Sequence, residues 1–115
     1  MVFQVTVYTE DDGSITLSMD DMDLAVNAPS KEAAIKALCR DMVEYAKEYR
    51  KAFAMYSAAP NRAAHAPLVK EILTATPQEL RDALVFHPEQ MRPNHPHKTV
   101  TERLEEYYHT PVDHK

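Results

Sequence analysis

A chain of 115 residues carrying a formal charge of -5 and 44% hydrophobic residues fits one folded domain with one modest core, because a chain of this size buries roughly two-thirds of its unfolded surface. With a charged fraction of 27% this composition is globular and excludes wholesale disorder, although a mean hydropathy of -0.49 shows that much of the chain stays wet, and the acidic balance argues against a generic nucleic-acid binder, which needs clustered Lys and Arg. An acidic domain more naturally meets a basic partner. Cys39 is the single cysteine, so no intramolecular disulfide forms, and a buried inert thiol in a reducing cytosol is the default. The start of the chain alternates instead of giving a charged region followed by an apolar run, and nowhere do about 18 apolar residues run together. Neither secretion nor a membrane span is expected.

Phe3, Val5 and Val7 alternate with Gln4, Thr6 and Tyr8, the period-two pattern of a strand with one face in a core. Asp11-Asp12-Gly13-Ser14 holds the one glycine of the chain, placed where a hairpin needs a positive φ. Ile15, Leu17 and Met19 predict a second strand, and Met22, Leu24, Val26 and Ala28 a third before Pro29. From Ser30, a plausible N-cap, the positions Ile35, Leu38, Met42, Val43, Ala46, Tyr49 and Phe53 recur at spacings of three and four. One long amphipathic helix is predicted, from about Lys31 to about Ala58. Pro60 stops it by lacking an amide hydrogen and disfavouring helical geometry at Ala59.

Asn61 is then expected to cap a shorter helix carrying Leu68, Val69, Ile72 and Leu73, with Pro67 near its first turn. Thr76-Pro77-Gln78-Glu79 is a capping box leading into Leu80, Ala83, Leu84 and Phe86 as the apolar side of a third helix. From His87 the run HPEQMRPNHPHK, with three prolines and three histidines, predicts a linker over 87-98. Thr99-Val100-Thr101-Glu102 is another capping box, opening a short helix with Val100, Leu104, Tyr107 and Tyr108 on one side. Such a helix is marginal alone and has to dock on its own domain, a second copy or a partner.

The residues do not assemble a catalytic pattern. Histidines in a proline-rich linker lack the fixed geometry and supporting shell of a metal site. The carboxylates Asp11, Asp12, Asp20, Asp21 and Asp23 lie at strand ends without EF-hand spacing. Cys39 sits mid-helix with no local signature placing a histidine beside it. A single glycine excludes a phosphate-cradling loop. No enzyme, metal or cofactor is expected, and surface for association remains. Tyr45, Tyr49, Phe53, Met55 and Tyr56 crowd the distal half of the long helix; ordinary core is at least as good a reading for Tyr49 and Phe53. A dimer or partner interface is the sharper alternative for the rest. Arg62 offers a planar five-donor fork to a carboxylate, although a role in tying two helices together is the better reading. His65 receives no role from the sequence.

The order of Asp12-Gly13-Ser14-Ile15-Thr16-Leu17-Ser18, Asp23-Leu24-Ala25-Val26-Asn27-Ala28-Pro29, Asp41-Met42-Val43-Glu44-Tyr45-Ala46-Lys47-Glu48-Tyr49 and Ser57-Ala58-Ala59-Pro60-Asn61-Arg62, with His65 and Pro67, resembles the RelB-like antitoxins of bacterial toxin-antitoxin pairs. The likeness covers roughly the first three-quarters of the chain, and its sheet-then-helix opening is more loosely similar to HicB-like antitoxins. The resemblance implies a small cytoplasmic protein that neutralises a basic RelE-type ribonuclease toxin, often repressing its own operon.

The fold expected is α+β: a short three-stranded antiparallel sheet packed on one long helix, followed by two or three shorter helices. Residues 1-86 form the antitoxin-like domain, 87-98 the linker and 99-115 a helical tail. The expected function is toxin binding by a homodimer, with Tyr45, Tyr49, Met55, Tyr56, Arg62, Leu104, Tyr107 and Tyr108 as partner-binding residues. The alternative is a non-catalytic regulatory or protein-interaction module without a ribonuclease partner. Operator DNA is a further candidate partner, through Lys36, Arg40, Lys47, Arg50 and Lys51, diluted by Asp41, Glu44 and Glu48.

Overall fold

The computed structural model describes residues 1-88; the linker beyond Pro88 and the tail helix expected over 99-115 lie outside the described residues. Strands β1 (Phe3–Thr9), β2 (Ile15–Met19) and β3 (Leu24–Ala28) form the antiparallel meander that the alternation predicts, except that Met22, expected in the third strand, falls in a 3-10 turn over Asp20–Met22. In their register Leu17 stands between Val7 and Val26, so the apolar positions of all three strands share one face. Phe3, Val5, Leu17 and Met19 are fully buried there, while Gln4, Ala25 and Asn27 remain exposed on the other face.

Gly13 adopts φ 85 in the β1–β2 turn, and the Asp12 side chain accepts from both the amide and the hydroxyl of Ser14. Those two hydrogen bonds hold the Asp12 carboxyl below its ordinary value. A Cβ on Gly13 would meet nothing within 4 Å, so the cost of Gly13→Ala is purely conformational. The substitution is expected to lower stability by about 1 kcal/mol in urea titration, with the denaturant slope unchanged.

Ser30 caps helix α1 (Lys31–Lys51) by accepting from the amide of Ala33. The helix lies across β3 and β2, and its buried stripe of Ala34, Ile35, Leu38, Met42, Ala46 and Tyr49 closes the core. The chain does not continue as one helix to Ala58. Ala52, at φ -117 and ψ 41, ends α1, and a separate helix α2 (Phe53–Ala58) follows. On a straight helix Tyr49 and Tyr56 would stand about 10.5 Å apart along the axis; with the bend their rings stack at 5.3 Å between centroids. Ring packing fits the change of direction, since neither glycine nor proline is present there to cause it.

Helix α3 (Ala66–Thr74) packs beside α1, and α4 (Pro77–Asp82) opens with both hydrogen bonds of the expected capping box between Thr76 and Glu79. Asn61 does not cap α3: a short 3-10 turn over Ala63–His65 intervenes, and His65 occupies the N-cap position. Arg81 of α4 pairs in bidentate fashion with Glu32 in the first turn of α1, at 2.6 and 2.9 Å. The Arg81 hydrogen bond holds the Glu32 carboxyl below the usual 4.5. The folded chain therefore binds this proton less readily than the unfolded chain, so the contribution is present above about pH 4.5 and lost as pH falls through the depressed folded value. Glu32→Gln should flatten that part of the acid limb, read as Tm against pH from 6 to 3.

The third helix is shorter than its sequence pattern predicts. It ends at Asp82, and Leu84 and Phe86, expected on its apolar side, belong instead to a fourth strand, β4 (Leu84–Pro88). This strand runs parallel to β1 with Phe3 opposite Leu84 and Val5 opposite Phe86, giving a mixed sheet of order β3-β2-β1-β4. The reason lies in pairing: without β4, one edge of β1 would leave its N–H and C=O groups unpaired. His87 and Pro88, the first residues of the expected linker, complete the strand, and the His87 imidazole bonds the Gln4 side-chain carbonyl.

Candidate partner-binding surface

The phrase Met55-Tyr56-Ser57-Ala58-Ala59-Pro60-Asn61-Arg62-Ala63-Ala64-His65 builds the joint between α2 and α3. Pro60 forces Ala59 into an extended conformation, φ -77 and ψ 128, and the amides of Arg62 and Ala63 then close a turn on the Ala59 carbonyl. That turn carries Arg62 and His65 back over α1. The Arg62 carbonyl accepts from the buried Tyr49 hydroxyl at 2.9 Å and from the His65 amide at 2.9 Å. The Arg62 guanidinium sits over the rings of Tyr45 and Tyr56, 5.3 and 5.4 Å from their centroids. Such contacts contribute about 0.5–1 kcal/mol each at exposed sites.

His65, for which the sequence offers no role, is 7% exposed and shares a 2.6 Å hydrogen bond between Nδ1 and the Tyr45 hydroxyl. Its ring meets that of Tyr45 edge-on. The signal that could have found it is the i to i+20 pairing across a proline turn, which is invisible to any local periodicity. Burial, with Tyr45 nearby, raises the Tyr49 phenol above its ordinary value. Cys39 is half-buried, and desolvation raises its thiol above the ordinary value, which favours the inert form.

The expected partner-binding residues therefore separate. Tyr49 is fully buried and its ring supports the cluster from beneath. Tyr45, Tyr56 and Arg62 are half-buried and meet at one place, while Met55, 62% exposed, stands on α2 with Phe53, 55% exposed. Leu104, Tyr107 and Tyr108 lie outside the described residues. No hydrogen bond or ion pair engages the Arg62 guanidinium among the described residues, so its donor edge is available to a carboxylate while its faces rest near tyrosines.

Charge is sharply segregated. Residues 1-30 carry Glu10, Asp11, Asp12, Asp20, Asp21 and Asp23 with no Lys or Arg, whereas Tyr49 to Lys70 carries Arg50, Lys51, Arg62 and Lys70 with no Asp or Glu. An acidic sheet end and a basic helical end suit recognition of macromolecules by potential. Among the described residues no group of three or more His, Cys, Asp or Glu side chains is placed to hold a metal ion, and no helix is long and apolar enough to cross a membrane.

Comparison with known proteins agrees with this picture of a binding protein. A family model described as PHD-like, antitoxin of toxin-antitoxin, RelE/RelB, matches residues 1–85. The chain is similar to a crystal structure from Syntrophomonas wolfei subsp. wolfei described as an antitoxin part of a toxin/antitoxin system, with a TM-score of 0.70 and 28% identity. That alignment covers 77% of this chain and 64% of the other, so the chain spans a little under two-thirds of its relative's length. No curated protein matches. With three-quarters of its residues inside the family model, the chain belongs to the PHD-like antitoxins of RelE/RelB toxin-antitoxin systems.

Proposed function

We propose that this antitoxin binds and neutralises a basic RelE-type ribonuclease toxin in the cytoplasm through protein-protein contacts, acts as a homodimer, and represses its own operon. The observation that carries the reading is the family match over residues 1–85, which spans nearly the whole described fold. The acidic strand meander supports it physically. A ribonuclease toxin that binds RNA is itself basic, and the exposed Asp11, Asp12, Asp20, Asp21 and Asp23 of residues 1-30, a stretch with no Lys or Arg in its sequence, favour its rapid encounter. The amphipathic pattern Thr99 to His109 suits a segment that lies across the toxin and orders there. Tyr45, Met55, Tyr56 and Arg62 supply a second surface of aromatic, thioether and guanidinium character, the side chains enriched where interfaces form.

Co-expression with the small basic protein encoded next to it tests the reading. Rescue of growth by this chain, lost when Leu104 and Tyr108 are both changed to Asp, is expected; undiminished toxicity with the full-length chain present would exclude neutralisation. For operator binding, the affinity should fall steeply with salt if Lys36, Arg40, Lys47, Arg50 and Lys51 meet phosphates, and a flat response would remove that part of the proposal.

A further inference from the structure

A groove of about 300 Å³ opens between the end of α1, the start of α2 and α3. Tyr49, Phe53, Val69 and Leu73 supply its apolar lining, and the exposed Arg50 and Lys70 border it. Phe53 is more than half exposed beside this space, a position that an apolar side chain of that size takes at a cost unless something covers it.

We propose that the groove docks the chain's own segment Thr99 to His109 as an amphipathic helix whenever no partner holds that segment. Three observations select this occupant. Val100, Leu104, Tyr107 and Tyr108 recur at helical spacing, the pattern by which a helix lays one face into an apolar groove. The same segment carries Glu102, Glu105 and Glu106 against a single Arg103, whereas the groove is lined by Arg50 and Lys70 and by no acidic side chain. The net acidic segment and the basic rim of the groove are therefore complementary in overall charge.

The tether is also long enough. Lys31, at the start of α1, holds its ammonium 4.8 Å from the Phe86 ring centroid on β4, and the rise of α1 from there to Tyr49 is about 27 Å. The ten residues 89-98 reach up to about 33–36 Å when extended. The linker thus reaches the groove in an extended conformation, and the tether makes docking intramolecular, which offsets part of the weak helicity of the segment when isolated. Docking is a property of the free chain and does not depend on the toxin reading; if that reading also holds, toxin and groove compete for one helix.

Methyl and aromatic NMR of the full-length free protein tests this. Contacts are expected from Leu104 and Tyr107 or Tyr108 to Val69 and Leu73, with amide exchange over residues 102-108 slowed about tenfold or more relative to an unstructured peptide. Leu104→Asp should abolish both. The double change Arg50→Glu and Lys70→Glu, at exposed positions that leave the core intact, should reduce the protection severalfold, and adding Glu105→Lys and Glu106→Lys should restore it. Unslowed exchange over 102-108 in the wild-type chain, or protection indifferent to the charge reversals, would overturn the proposal. So would contacts seen in a sample of mixed labelled and unlabelled chains at the strength expected between molecules, because they would assign the groove to a second copy.

Discussion

Leu38→Ala is expected to remove about 2–5 kcal/mol of stability, a large part of the total that a small domain possesses. Leu38 is fully buried on the stripe of α1 that covers the sheet, so truncation leaves a cavity between layers and a relaxed surface cannot refill it. Urea denaturation should show a lower midpoint with an unchanged slope, because the amount of surface exposed on unfolding is nearly the same. Cys39, the adjacent residue and the sole thiol, supplies an independent readout. Its half-buried thiol is held in the neutral form by desolvation, so alkylation at pH 7.5 should be slow in the wild type and faster in the variant, tracking the opened population. Unchanged stability would mean that α1 does not close the core as described.

The second large effect is expected at the joint between α2 and α3. His65→Ala should cost about 2–3 kcal/mol, since it removes a buried ring and strands the Tyr45 hydroxyl whose partner at 2.6 Å is lost. For a domain of this size such a loss lowers Tm by roughly 10–20 °C. Replacing both partners, as in Tyr45→Phe with His65→Leu, should recover much of it, because no polar group is then left unsatisfied. Additive losses in that double-mutant cycle would show that the hydrogen bond is not shared in the manner described. The sheet should be spared: amide protection of β1 and β2 is expected to fall only with global stability, while the turn from Ala59 to His65 opens locally. Since that turn aims Arg62, the single His65→Ala change should also weaken any partner contact that the guanidinium makes.

Several elements were written in the residues themselves. The period-two pattern of Phe3, Val5 and Val7 and its continuation in Ile15, Leu17 and Met19 needed no tertiary information, because one buried face fixes the alternation of a strand. The Ser30 cap and the Thr76–Glu79 box were equally local, each being a hydrogen bond across three residues. Arg62 reads from its position after Pro60 as a residue that ties two helices together, and its guanidinium lies over the rings of Tyr45 on α1 and Tyr56 on α2. Asn27 shows the limit of local reading. Its side chain donates to the Thr16 hydroxyl at 2.9 Å and to the Ser14 hydroxyl at 3.0 Å, so its place in the distinctive Asn27-Ala28-Pro29 phrase has a reason only once β2 and β3 are paired.

The amino-acid order alone determined the α+β class, the meander, the long covering helix and the proline-driven turn, all of which arise from interactions a few residues apart or from one face seeking burial. Only the assembled molecule decided that Leu84 and Phe86 leave the helix, that the long helix bends at Ala52, and that His65 meets Tyr45. In each of those cases the deciding partner is a strand edge, a stacked ring or a hydroxyl contributed by a distant or bent part of the chain. Local propensity carries no record of such partners, and their free energy exceeds the small preferences it does record.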